Sequence, residues 1–239
     1  MSSHVFTTEA LVIGSMRYRE ADRIVTLYTR ERGRLGAIAK GVRRTKSKVG
    51  GRLEPFSLVR ASLYAGHGNL YTIVGVDTLR TFQGVRDELF RLEEGARLFL
   101  AVRHLFPQEE GNTPAFNLLV RGVARLADAD DPAAAAGVVL ATRLKLLALL
   151  GYAPEMTCCA RCGSEGPFYG FSPGQGGIIC APCSDDVTVS CFPLSLGAVS
   201  TLRTLIGNPL AELESFELDK RAMAECEQVV VQVLAFHGH

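Results

Sequence analysis

The first eighty residues alternate between apolar and polar positions in short runs, which is the period of a β-strand. The runs are rich in β-branched and aromatic residues and lie at residues 5–13, 23–29, 35–39, 56–64 and 70–76. Gly-His-Gly-Asn at residues 66–69 is typical of a hairpin turn between the last two runs. Five short antiparallel strands predict a small closed barrel of the OB type, and an SH3-like barrel with a similar strand count stays open as the alternative.

After residue 80 the apolar period changes from two to about 3.6 residues, which is typical of α-helices. Helices are predicted at about residues 85–106, 113–127, 132–151, 193–207 and 219–237. Pro107 ends the first helix, and Asp131 followed by proline gives the third an N-terminal cap. The third helix is apolar on nearly all sides but contains Arg143 and Lys145. It is therefore predicted to be the central helix of a bundle, not a membrane span.

Two cysteine pairs separate the third predicted helix from the fourth. Two residues lie within each pair and seventeen between the pairs, which are formed by Cys159, Cys162, Cys180 and Cys183. This is the spacing of a four-thiolate zinc site, because each pair places two thiolates on one tight turn and the spacer lets the turns meet. Four thiolates leave no position for water, so the sequence predicts one structural Zn²⁺ ion and no catalytic metal.

The other cysteines leave one alternative open at this site. Cys158 adjoins Cys159 and is able to replace it as a ligand, although only Cys159 leaves two residues before Cys162. Cys191 and Cys226 are interpreted as core thiols, because free cysteine packs as a small apolar group. The chain begins without a basic segment followed by an apolar run, so no secretory signal is expected and the thiols are expected to stay reduced in the cytoplasm.

The net charge of +1 hides a strong asymmetry along the chain. Residues 1–80 contain 14 Lys and Arg against 6 Asp and Glu, whereas the remainder contains 12 against 19. A basic N-terminal part of this kind is typical of a protein that binds a polyanion. The cysteine segment differs, because Arg161 is the one cation between residues 155 and 191. The main phosphate contact is therefore expected in the barrel and not in the zinc module.

The loop at residues 40–52 contains six cations and no acid. The predicted DNA-binding residues are those cations and three arginines that extend the patch: Lys40, Arg43, Arg44, Lys46, Lys48, Arg52, Arg34, Arg17 and Arg19. A solvated charged loop is the plain alternative, but the absence of compensating acids and the +8 balance of residues 1–80 favour phosphate binding. A nucleotide-binding P-loop is not supported, because the second glycine before the lysine is missing.

The order of these parts resembles the RecO family of bacterial recombination mediators over essentially the full chain. The resemblance is carried by five segments and by the cysteine pairs. The segments are residues 18–22 (Tyr-Arg-Glu-Ala-Asp), 29–33, 40–47, 53–56 (Leu-Glu-Pro-Phe) and 150–154 (Leu-Gly-Tyr-Ala-Pro). Gly176 and Gly177 before Cys180 extend it. Because many family members lack these cysteines, the chain is similar to the zinc-bearing branch.

The resemblance implies a protein that binds single- and double-stranded DNA, anneals complementary strands and helps to load RecA onto DNA coated by single-strand-binding protein. It also implies a complex with RecR, capture of the acidic C-terminal tail of single-strand-binding protein, a functional link to RecF, and a cytoplasmic, nucleoid-associated location. No covalent bond is expected to be changed, so the chain is not expected to be an enzyme. An RNA-binding accessory protein of translation or transcription is the alternative.

The predicted fold class is α+β with several domains. Residues 1–80 are assigned to the OB-fold barrel, residues 81–154 to the first part of a helical domain, residues 155–190 to the zinc module, and residues 191–239 to the helices that complete the helical domain. The zinc module is therefore predicted to be an insertion into the helical domain. Its expected role is to order a glycine-rich segment and not to bind DNA.

Overall fold

The computed structural model describes residues 5–43, 50–65, 70–215 and 219–237. The chain divides into two compact units. The first unit contains Met1–Gly95 and Phe106–Asp128, and the second contains Ala96–Leu105 and Ala129–His239. Segment 106–128, which the sequence analysis assigned to the helical domain, groups with the barrel. The cysteine module groups with the C-terminal helices.

The five N-terminal strands close into a barrel in the order β1-β2-β3-β5-β4, which is the OB-fold order. The strands are β1 (Val5–Tyr18), β2 (Asp22–Thr29), β3 (Gly33–Ala39), β4 (Ser57–Tyr64) and β5 (Tyr71–Thr81). The predicted OB-type barrel is confirmed. The prediction that all strands are antiparallel is wrong at the closure, where β3 and β5 pair in parallel through Ala37 with Tyr71 and Ile38 with Thr72.

The barrel core follows the alternation that predicted the strands. Along β3, buried and half-buried residues alternate at every position, because successive side chains point to opposite faces of a strand. The interior is filled by small and branched apolar side chains, among them Ala10, Val12, Val25, Leu27, Leu35, Ala37, Val59, Ala61 and Leu63. The predicted hairpin turn at residues 66–69 lies outside the described residues.

Helices complete the first unit. They are α1 (Gln83–Asp87), the start of α2 (Leu89–Leu105), and α3 (Thr113–Ala127), in which Asn112 caps the first turn through the N–H of Ala115. The predicted single helix from 85 to 106 is broken at Glu88, whose backbone is extended. Tyr28 of the barrel packs against Phe106 and Phe116, which explains why segment 106–128 belongs to this unit.

The second unit surrounds a buried helix. Its elements after α2 are α4 (Pro132–Leu149), β6 (Phe168–Ser172), β7 (Gly177–Cys180), α5 (Ala181–Ser184), β8 (Phe192–Pro193), α6 (Leu196–Gly207) and α7 (Lys220–His237). Asp131 caps α4 by accepting the N–H groups of Ala133 and Ala134. Helix α4 is long and apolar enough to cross a membrane by length and composition, but 61% of it is buried within the protein. It packs against α6 and α7, as expected of the central helix of a bundle.

The two cations that interrupt α4 have partners inside the helical bundle. Arg143 is 4% exposed and donates from Nη1 to both carboxylate oxygens of Glu227 on α7, at 2.7 Å each. Lys145 donates to the backbone oxygen of Ile206 near the end of α6, at 2.9 Å, and burial lowers the pKa of its ammonium group. Buried charge is tolerated only when it is paired, so these contacts fix how α6 and α7 pack on α4.

Candidate metal centre and nucleic-acid interface

The cysteine module is a three-stranded sheet, in the order β7-β6-β8, with two tight turns. In the first turn, Cys159 donates its N–H to the oxygen of Ser164 at 2.7 Å and accepts the N–H of Gly163 at 2.8 Å. Gly163 has a φ of +75°, a conformation that glycine adopts without a steric penalty. In the second turn, Cys180 ends β7 and stands at the N-cap of α5, which carries Cys183. Local hydrogen bonds thus shape the first turn, and the start of α5 shapes the second.

The sulfur atoms of Cys159, Cys162, Cys180 and Cys183 all lie within 4.8 Å of one another. The sulfurs of Cys162 and Cys180, one from each turn, are 3.6 Å apart. Four sulfurs at about 2.3 Å from one Zn²⁺ ion form a tetrahedron with edges of about 3.8 Å. The structure therefore brings the four predicted ligands together at separations that fit one tetrahedral metal ion, and the four cysteines could hold it.

The pKa values of two of these thiols are shifted in opposite directions. Burial opposes ionisation of Cys159, but the backbone N–H groups of Cys180, Cys162 and Arg161 outweigh it and lower the pKa to about 6. The Cys183 thiol donates to the neighbouring sulfurs of Cys180 and Cys162, which favours its protonated form and raises its pKa to about 12. Sulfurs this close do not readily carry four negative charges, and a bound divalent metal is the ordinary way to stabilise them all as thiolates.

Contacts between the two turns support the cluster. Arg161, between the first two cysteines, lies 2.6 Å from a carboxylate oxygen of Asp186, which follows the second turn. The hydroxyl and backbone N–H of Thr188 and then Arg161 lower the pKa of Asp186 to about 2. This ion pair ties the turns together without the metal, and spacing arguments on the cysteines alone do not reveal it.

The remaining cysteines lie apart from the cluster. Cys158 is half-buried, its N–H points to Glu155, and the group of four sulfurs contains Cys159 in its place. Cys191 is half-buried beside the apolar residues of the module. Cys226 is buried on α7, where burial raises its pKa to about 12 and its thiol donates to the oxygen of Ala198. The alternative of Cys158 as a ligand is therefore not favoured by the geometry.

Four of the six predicted DNA-binding residues that the structure describes lie around the β1–β2 turn. Arg17 pairs with Arg23 across the hairpin, and Arg23 pairs in turn with Ala39, so Lys40 follows beside this turn. Arg17, Arg19 and Lys40 are exposed. Arg19 has a φ of +50°, and its guanidinium lies 5.2 Å from the centre of the Tyr18 ring. We call Arg17, Arg19, Lys40 and Arg43 the turn cations.

Arg43 joins the loop to the same turn. Its backbone N–H donates to the oxygen of Ala21 at 3.0 Å, and its Nη1 donates to the oxygen of Glu20 at 2.9 Å. The Arg43 side chain remains exposed, so its charge is presented at the turn. Arg44, Lys46 and Lys48 lie outside the described residues, and for them the predicted role in DNA binding stays a prediction.

The other two predicted residues are placed differently. Arg52 donates from Nη1 to the oxygen of Val76 at 2.7 Å and lies 3.8 Å from a carboxylate oxygen of Asp77, so part of its charge is engaged on β5. Arg34 is half-buried at the opposite end of β3, six residues before Lys40, which is about 20 Å along an extended strand. The structure therefore does not bring Arg34 to the turn cations.

The chain was also compared with known proteins. Residues 1–82 match the family model for the N-terminal part of recombination protein O, and residues 100–238 match the model for its C-terminal part. A DNA repair protein RecO from Rubrobacter xylanophilus is 41% identical over 217 residues, which cover 88% of this chain and 84% of the relative. One from a Nocardioides species is 37% identical over 239 residues, which cover 98% and 94%. The chain belongs to the RecO family.

The family match agrees with the architecture. The N-terminal RecO model ends at residue 82, one residue after β5 ends at Thr81, so it contains the whole barrel. The C-terminal RecO model contains the bundle helices and the four clustered cysteines. As a RecO-family chain, the molecule is a DNA repair and recombination protein.

Sequence reasoning missed the residues that hold the loop against the turn. Asp22 accepts the N–H of Gly41 at 2.8 Å, and Glu54 accepts a hydrogen bond from Arg23 at 2.6 Å. Both acids were seen only as parts of the segments that resemble the RecO family. A signal was present for Asp22, because a glycine shortly after a strand, as Gly41 is after β3, commonly turns the chain and leaves an N–H in need of an acceptor.

Proposed function

We propose that this chain is a recombination mediator that binds single- and double-stranded DNA through the turn cations and the adjoining loop at residues 40–52. In this proposal it anneals complementary strands and, together with RecR, helps to load RecA onto DNA coated by single-strand-binding protein. It acts by binding and not by changing a covalent bond, and it works in the cytoplasm near the nucleoid, with a functional link to RecF.

The observation that carries the proposal is the position of the cations on an OB-fold barrel. Such barrels hold oligonucleotides along one face and its loops, and phosphate binding depends on exposed Lys and Arg. Arg17, Arg19, Lys40 and Arg43 are exposed around one turn, and the loop that follows contributes Arg44, Lys46 and Lys48 by sequence. Arg52 and Arg34 are retained as weaker candidates, because the first is engaged on β5 and the second lies at the other end of β3.

The metal in this proposal is one structural Zn²⁺ held by Cys159, Cys162, Cys180 and Cys183. The ion supplies a cross-link between the two turns of the module and holds the four thiols in their ionised form. The surrounding segment is poor in cations, so its role is to order the insertion and not to contact phosphate. The acidic tail of single-strand-binding protein is assigned to the helical unit, on the strength of the family resemblance.

The test is a binding series followed by an annealing assay. Affinity for single-stranded DNA, duplex DNA and RNA of equal length is measured by fluorescence anisotropy across a range of salt concentrations. We expect tight, salt-dependent binding to both DNA forms. Annealing of complementary strands coated with single-strand-binding protein is then followed with and without RecR. A strong preference for structured RNA would instead favour the accessory role in translation or transcription.

A further inference from the structure

Asp22 is a negative charge among the turn cations. It is the first residue of β2 and lies in the sequence between Arg19 and Arg23, opposite Tyr18 in the hairpin. A carboxylate beside a phosphate-binding surface repels the ligand, so by charge alone Asp22 weakens DNA binding. Its presence there therefore requires a reason other than charge.

The hydrogen bonds of Asp22 give that reason. The last paired residues of β2 and β3 are Arg23 and Ala39, and beyond them Gly41 adopts a φ of +65° and turns the chain away. Its N–H would lose a partner at this point, and the Oδ1 atom of Asp22 accepts it at 2.8 Å. The carboxylate thus replaces the missing strand partner at the start of the loop.

Two further hydrogen bonds lie beside the contact at Gly41. Two residues further on, the backbone N–H of Arg43 reaches the oxygen of Ala21, next to Asp22. The guanidinium of Arg43 then reaches the oxygen of Glu20. Lys40 and Arg43 therefore flank the backbone group that Asp22 holds, one on each side.

We propose that Asp22 is a positioning residue for DNA binding: its carboxylate oxygen fixes the backbone at Gly41 and so presents Lys40 and Arg43 beside Arg17 and Arg19. This inference rests on the proposed DNA-binding function. It makes a prediction that charge alone does not, because two variants that remove the same negative charge should differ in DNA affinity if only one of them retains an acceptor for the N–H of Gly41.

Two substitutions separate the charge from the acceptor. Asp22→Asn and Asp22→Ala both remove one negative charge, but the asparagine retains an oxygen that can accept the N–H of Gly41. We expect Asp22→Asn to bind a fluorescein-labelled oligothymidylate at least as tightly as the wild type. Asp22→Ala is expected to bind about threefold to tenfold more weakly than Asp22→Asn, the value of one hydrogen bond, at an unchanged salt slope.

The matched control is Glu20, an exposed acid of the same turn whose carboxylate makes no hydrogen bond with the residues that the structure describes. Glu20→Ala and Glu20→Gln remove the same charge without removing an acceptor. Both are expected to bind the oligonucleotide equally well and slightly more tightly than the wild type. Asp22→Glu, which keeps the charge but moves the acceptor by one methylene, is expected to bind more weakly than the wild type and replaces Asp22→Ala if the alanine variant does not fold.

Hydrogen exchange measured without DNA tests the positioning role of Asp22 independently of DNA binding. The amides of Gly41 and Arg43 are expected to exchange faster in Asp22→Ala than in the wild type, whereas Asp22→Asn retains their protection. Equal exchange and equal DNA affinity of the alanine and asparagine variants would overturn the positioning role. A wild-type protein that does not bind DNA would instead overturn the proposed function, while the exchange data would still decide whether Asp22 holds the start of the loop.

Discussion

The turn cations of the barrel and the cysteine cluster of the second unit both gather chemically active side chains, but they expose them differently. Arg17, Arg19 and Lys40 are exposed to solvent. In the cysteine cluster, Cys159 and Cys180 are only 1% and 2% exposed, although Cys162 is exposed, and the four sulfurs lie within 4.8 Å of one another. An extended anion needs the first arrangement, whereas a metal cross-link with no free coordination position needs the second. In our proposal, the more conspicuous sequence motif therefore belongs to a structural element, and the diffuse charge belongs to the binding surface.

Removal of a metal ligand is expected to have the largest effect and to separate the two regions most clearly. Wild-type protein is expected to contain about one zinc ion per chain, and Cys162→Ser to lose it together with the fold of the module and much of its solubility. Zinc binding in such sites is worth about 10–16 kcal/mol, which the module cannot replace by other contacts. Metal content, thermal unfolding and affinity for single-stranded DNA are measured on the same samples, and DNA affinity is expected to change by less than about twofold.

Cys158→Ser is the control for that experiment, because Cys158 adjoins the cluster without belonging to it. The variant is expected to retain zinc and the wild-type unfolding temperature. A metal-free Cys162→Ser protein that stays folded and tightly packed would contradict the structural role of the metal.

The second prediction concerns charge reversal in the loop, which is expected to weaken DNA binding by the barrel without changing the cysteine module. Replacement of Arg43, Arg44, Lys46 and Lys48 by Glu is expected to weaken binding to single-stranded DNA by more than about tenfold. Fewer counterions are then released, so the slope of log affinity against log salt falls by up to about 0.7 for each lost phosphate contact. Zinc content is expected to stay at the wild-type level. Unchanged DNA binding would mean that DNA binds elsewhere and not at this loop.

The smallest effect is expected at the ion pair that joins the two cysteine turns. Asp186→Asn removes the charge that faces Arg161 and is expected to lower zinc affinity by no more than about tenfold, because the pair is solvent-exposed. The measurement is competition with a chromophoric chelator at neutral pH, where DNA affinity is expected to be unchanged. A loss of zinc as complete as that expected for Cys162→Ser would contradict the minor role given to this ion pair.

The pH dependence of that ion pair follows from the pKa of Asp186. Hydrogen bonds from Thr188 and the contact with Arg161 lower it from 3.8 to about 2 in the folded protein. The carboxylate therefore stabilises the fold fully above pH 3.8, and this contribution is lost as the pH falls through about 2. The free energies of unfolding of wild type and Asp186→Asn should therefore differ most above pH 3.8 and converge as the pH falls to about 2.

Much of the fold could be predicted from the sequence because the deciding signals are local. Alternation marked the five strands, the cap at Asp131 marked α4, and the spacing of the cysteine pairs marked the cluster. The parallel pairing of β3 with β5 was missed, because it depends on how the barrel closes and not on either strand alone. The break at Glu88 was missed because the apolar period continues through it.

The candidate DNA site was predictable in composition but not in geometry. Charge counting placed Arg34 with the other cations, yet the strand carries it to the far end of β3. Charge counting also gave no role to Asp22, because an acid in a basic segment only reduces the net positive charge. Contacts such as that between Asp22 and Gly41 join residues 19 positions apart and follow from the pairing of β2 with β3.

The central claim is that DNA binds at the turn cations, and a matched pair of double variants tests it most directly. Arg17→Glu with Arg19→Glu changes the charge of the turn, and Lys220→Glu with Arg221→Glu makes the same change at the exposed start of α7. The measurement is the salt slope of binding to single-stranded DNA. The account predicts a slope reduced by about 1.4 for the turn variant and unchanged for the α7 variant. A wild-type slope in the turn variant with a reduced slope in the α7 variant would contradict it.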